Sequence, residues 1–112
     1  MRSVLALAVL LVPGIALADD WVRLNDAEIT EILTAHDLVY ENDAFQRFLP
    51  SGRTLYRYGE TSWGYWRADD DRYCSQWPPG DEWDCYDVEY DGATALRFID
   101  DWGNVSTGVF AE

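Results

Sequence analysis

Beyond residue 18 the sequence has no lysine; the chain has one histidine and two cysteines, and no long apolar run follows its first dozen residues. Each scarcity excludes something. Eight basic residues, all arginine, stand against 21 Asp and Glu, a formal net charge of -13. Such a surface repels nucleic acid and anionic lipid, and it would attract a basic partner. A single histidine leaves no cluster for structural zinc, which takes about four ligands. It leaves no nucleophile–base pair either. His36 falls at the end of an expected helix, where it can meet the last carbonyls, and no G-x-S-x-G is present. Calcium is equally unsupported. Asp69-Asp70-Asp71 lacks the alternating spacing of a calcium loop and reads as a solvated turn, as does Asp100-Asp101. Asp81, Glu82 and Asp84 could gather no more than a weak cation. No metal, cofactor or catalytic residue is therefore expected. A carboxylate pair for glycoside hydrolysis would need a cleft that so small a domain rarely provides, so an envelope hydrolase stands last among the functions considered.

What is present begins with an export signal. Met1-Arg2-Ser3 is a short basic start, Val4 to Val12 is apolar throughout, Pro13-Gly14 breaks the run, and Ala16-Leu17-Ala18 is a small-x-small cleavage site. The apolar run is too short to span a bilayer, which needs about 20 residues. The expectation is a cleaved leader over residues 1–18 and one domain over 19–112, without membrane insertion, in the periplasm or the medium. In an oxidising compartment Cys74 and Cys85 read as one disulfide.

Asn25 or Asp26 can start a helix, with Glu28 placed for a capping box, and Ala27, Ile29, Ile32 and Leu33 form its apolar stripe over residues 26–35. Turn signals then alternate with short runs rich in Tyr, Trp, Phe, Val and Thr. Strands are expected near 37–41, 44–49, 53–58, 62–68, 72–77, 84–90, 94–99 and 105–110. The fold class is mainly β: an antiparallel meander or small barrel of about six to eight strands, with one short N-terminal helix. Whether the sheet closes is left open by the short strands near 37–49.

Placing Cys74 opposite Cys85 also pairs Tyr73 with Tyr86 and Arg72 with Asp87. It leaves Pro78-Pro79-Gly80-Asp81 as a turn, with Pro79-Gly80 at the centre of a type II geometry. Alternation turns Tyr73, Ser75, Trp77, Tyr86, Val88 and Tyr90 inward and puts the disulfide on the outer face. In the next hairpin Asp91-Gly92 offers a two-residue turn, but that register would expose Leu96 and Phe98. Lengthening the loop by one residue pairs Val88 with Leu96 and Tyr86 with Phe98.

Trp63-Gly64-Tyr65-Trp66, Asp71-Arg72-Tyr73-Cys74-Ser75-Gln76-Trp77 and Cys85-Tyr86-Asp87-Val88 resemble a group of small exported alphaproteobacterial proteins of unknown function, with a G-x-W strand followed by two Cys-bearing strands. The resemblance covers about residues 37–110; it implies export and the Cys pair, and no activity. Aromatic residues crowd the second half, and the segment from Trp77 to Trp83 stands out as a rigid tip with two indoles, Asp81 and Glu82. Trp beside acids on a preordered loop is interface chemistry. The leading expectation is an exported, non-enzymatic interaction protein that engages a basic protein partner through Trp77, Asp81, Glu82 and Trp83. The alternative is a periplasmic small-molecule carrier with aromatics lining a barrel mouth.

Overall fold

A computed structural model of the protein describes residues 20–112; the leader expected over residues 1–18 lies outside them. The elements follow in the order β1 (Val22–Arg23), α1 (Asp26–Ala35), β2 (Leu38–Tyr40), β3 (Phe45–Phe48), β4 (Arg53–Tyr58), β5 (Glu60–Asp69), β6 (Arg72–Gln76), β7 (Asp84–Tyr90), β8 (Ala95–Ile99) and β9 (Val105–Phe110). Strands β2 to β9 pair antiparallel, each with the next. β9 then pairs back onto β2 through Leu38 with Phe110, Val39 with Val109 and Tyr40 with Gly108. The meander is thus a closed eight-stranded barrel, which leaves no open sheet edge. β1, which the sequence pattern did not show, adds a short pairing beside the end of β7, Val22 with Tyr90 and Arg23 with Glu89.

The helix closes one end of the barrel. Asn25 and Glu28 form the expected capping box, each side chain accepting the other's backbone N–H at 2.9 Å. Such a cap contributes about 1 kcal/mol. A second clasp fixes the helix start: the Asp26 N–H donates to Asp71 and the Asp71 N–H donates to Asp26, at 3.0 and 2.8 Å. Asp70 and Asp71, at φ 57 and 59, form the tight β5–β6 turn. Part of the acidic run is therefore a fitting for the helix. Ile29 and Leu33, one turn apart, are fully buried against Leu38, Phe48, Trp66, Val88 and Leu96. Phe48 meets Trp66 and Tyr73 edge-on at 5.8 and 5.7 Å, and the Trp66 indole N–H donates to the Leu49 carbonyl at 3.0 Å.

The β6–β7 register is the expected one, with Tyr73 opposite Tyr86 and Cys74 bonded to Cys85. Arg72 bridges to Asp87 at 3.1 Å on the same outer face. Three local expectations are corrected. The tip turn is not centred on Pro79-Gly80: the Gly80 N–H donates to the Trp77 carbonyl at 2.9 Å across a cis Pro78–Pro79 bond, a type VI turn, and the loop occupies residues 77–83. In the β7–β8 hairpin Val88 lies opposite Phe98 and Tyr90 opposite Leu96, two residues from the expected register and with the same face inward. The reason is Asp91, whose carboxylate accepts the N–H groups of Ala93, Thr94 and Ala95 at 2.8, 3.0 and 3.0 Å and organises a longer loop. His36 stacks flat on Phe110, with ring centres 3.9 Å apart, in place of the expected contact with helix carbonyls.

Two predictions follow from these staples. Replacing both cysteines by alanine lowers the unfolding free energy by roughly 2–3 kcal/mol in urea titrations, the loop-closure value for this short a link. Partial burial of Asp91 pushes its pKa up, but the N–H groups of Ala93, Ala95 and Thr94 outweigh it and hold the carboxylate below its ordinary value. A carboxylate lowered in the folded state adds stability above its unfolded pKa of about 3.9 and loses it as pH falls through the folded value. Asp91→Asn is therefore less stable than wild type near neutral pH, and urea midpoints of the two converge as pH falls below about 4.

Candidate functional site

An eight-stranded barrel has an interior just wide enough for side chains to fill. Here only one half is filled. Toward the helix the inward positions are Leu38, Phe48, Trp66, Val88 and Leu96. Toward the other end they include Ser62, Ser75 and Ser106, too small to meet across the barrel. The result is an open cup of about 820 Å³, walled by Tyr56, Trp77, Tyr86 and Ser106 and floored by Gln46, Tyr73 and Phe98. Its rim is formed by the turns at 41–44, 59, 77–83 and 100–104.

Two glycines seat the aromatics. A Cβ on Gly64 would fall 2.6 Å from the Trp77 ring and 2.7 Å from the Gln76 carbonyl. Only glycine lets the indole lie flat on that wall. Gly108 receives the Tyr40 ring in the same way, with 3.2 Å to a would-be Cβ. Trp77 is held further by its indole N–H donating to Ser75 Oγ at 3.2 Å and by an edge contact with Tyr56 at 6.0 Å.

The floor is polar, buried and satisfied. Gln46, only 4% exposed, donates from Nε2 to Thr54 Oγ1 at 3.0 Å and to the Tyr73 hydroxyl at 3.1 Å. Its Oε1 accepts from the Tyr40 hydroxyl at 2.6 Å, and the Thr54 hydroxyl donates to the Arg47 carbonyl at 2.8 Å. Burial raises the pKa of Tyr40 and of Tyr73, so both phenols stay neutral. Tyr86 is raised as well, by burial first and then by the charges of Asp84 and Asp100. The hydroxyls of Tyr56 and Tyr86 have no hydrogen-bond partner among the described residues and are free for a ligand.

The four residues expected at the hairpin tip do not form one patch. Trp77 turns into the cup. Trp83 lies on the outer wall beneath the Arg67 guanidinium, 4.1 Å from its ring centre, and Arg67 sits opposite Cys74 of the disulfide. Asp81 and Glu82 are exposed, and the Asp81 carbonyl accepts from Gln76 Nε2 at 2.8 Å. Cys74 and Cys85 clasp the outer face. The cup residues that sequence reasoning did not single out as a site are Tyr40, Gln46, Tyr56, Tyr86 and Phe98. Alternation marks each of them as inward, but nothing local says that the space between them is left unfilled.

Among the described residues no three His, Cys, Asp or Glu side chains gather to hold a metal, and no helix is long and apolar enough to cross a membrane. No family model, curated protein or solved structure matches the chain.

Gly64→Ala tests the seating of Trp77. It lowers stability by about 1–3 kcal/mol, the usual cost of overpacking, and changes the near-ultraviolet circular dichroism of the indoles as Trp77 leaves the wall.

Proposed function

We propose that the protein is an exported, non-enzymatic carrier or receptor for a small molecule, bound in the open half of the barrel. The observation that carries this reading is the cup itself. Its volume of about 820 Å³ falls in the range of small-ligand pockets. Its lining mixes aromatic rings with polar groups, among them the Tyr56 and Tyr86 hydroxyls, Asn42, Ser62, Ser75 and Ser106. The lining has one ionised side chain, Glu41, so it offers no acid–base pair, which favours binding over catalysis. Export is supported by the leader-like sequence of residues 1–18 together with the disulfide. The outward side chains Arg47, Arg53, Arg67, Arg72, Asp87 and Glu89 favour a barrel surrounded by water, since a lipid-facing one needs an apolar belt.

A second reading, a basic protein partner at the hairpin tip, draws on the exposed Asp81, Glu82 and Asp84. It stands behind the first because both indoles of the tip are already engaged, Trp77 inside and Trp83 under Arg67.

The neutral fluorescent probe 1-N-phenylnaphthylamine tests the carrier reading. We expect saturable one-to-one binding with an emission increase, abolished when Ser62→Trp and Ser106→Trp fill the cup. A wild-type protein that does not bind the probe, or binding that survives both substitutions together, would overturn the reading.

A further inference from the structure

Resting on the carrier reading, we infer that the ligand class is an organic cation, an amine or quaternary ammonium with an aromatic or aliphatic body. Among the described residues the cup's lining has no Arg, Lys or His, and its one acidic side chain is Glu41. Tyr56, Trp77, Tyr86 and Phe98 present ring surfaces to the space, and such surfaces attract cations through their negative faces.

The distribution of charge around the barrel points the same way. Strand direction puts Glu41, Asp43, Glu60, Asp81, Glu82 and Asp84 at the open end, all exposed, and none has an arginine partner among the described residues. The arginines are spent elsewhere. Arg23, Arg47, Arg67, Arg72 and Arg97 pair with acids outside the cup. Arg57 lies over Phe45, and Arg53 lies over the half-exposed ring of Trp63, at the edge of the cup. A low-dielectric cup rimmed by one sign of charge concentrates the opposite sign at its mouth.

The experiment compares three probes of one shape by isothermal titration calorimetry: phenyltrimethylammonium, its neutral isostere tert-butylbenzene, and anionic benzenesulfonate. The expected order is cation, then neutral, then anion, with the cation about tenfold tighter than the neutral isostere at low salt. That ratio should shrink with added salt and in the double variant Glu41→Gln, Asp84→Asn. A neutral or anionic probe that binds as tightly as the cation overturns the inference and leaves the carrier reading in place. So does an absence of phenyltrimethylammonium binding while 1-N-phenylnaphthylamine still binds. If 1-N-phenylnaphthylamine does not bind, the carrier reading falls and the inference falls with it.

Discussion

The pairing of β9 with β2 is the constraint on which the rest depends. It joins residues 38–40 to 108–110 and converts a meander with two open edges into a closed wall. Once the wall is closed, alternation has only two outcomes, a side chain inside or a side chain in solvent. The same pairing brings Gly108 beneath Tyr40, so that the ring can bend into the interior and reach Gln46. It also places Phe110 where His36 stacks on it, directly after the helix. Closure and helix placement therefore share one strand pairing, and the helix covers the end at which β2 begins.

From there the two halves of the interior diverge. Near the helix, Ile29 and Leu33 enter a wholly apolar layer. The Gln46 hub lies past that layer. A glutamine at 4% exposure would be costly if its amide were unpaired, but its Oε1 and Nε2 are both engaged. The network separates the packed apolar core from the open cup. Beyond it the chain carries serine and glycine where large apolar residues would have continued the core, and that forgoes burial in a domain with little to spare. The disulfide, the capping box, the Asp26–Asp71 clasp and the Asp91 loop offset this loss from outside the cup, and none of them uses a residue of its lining.

Much of this was legible in the residues, because period and punctuation are local signals. The helix bounds, eight strand positions and the Cys74–Cys85 register follow from apolar spacing, turn residues and one cross-strand assumption. What was not legible depended on distant or geometric facts. Closure needs β2 to meet β9, and nothing in either strand names its partner. The Asp91 loop is longer than the one added residue that the hydrophobic pattern asks for, because two more residues keep the same face inward and the carboxylate of Asp91 captures three N–H groups further on. The Trp77-to-Trp83 tip read as one surface because its residues are adjacent in sequence. In the barrel the wall passes between them, with Gly64 receiving one indole inside and Arg67 covering the other outside.

The net charge carries a parallel lesson. Taken as a total, -13 says only that the surface is acidic and that its partners would be basic. Resolved in space it says more, because the seven arginines after residue 18 cannot neutralise every acid and the fold decides which go without. The strands place arginines across from acids on the outer wall, as with Arg97 and Glu89 at 2.6 Å or Arg47 and Asp37 at 2.8 Å. The turns at the open end carry acids and no arginine of their own: Glu41 and Asp43 in one, Asp81 and Glu82 in another, Asp100 and Asp101 in a third. Of these, Asp101 alone is reached by an arginine, Arg72, at 2.9 Å from the outer wall. Acids without an arginine partner therefore stand at both ends of the barrel, and those at the open end ring the cup, where a charge that elsewhere serves solubility becomes a local field over an open concave surface.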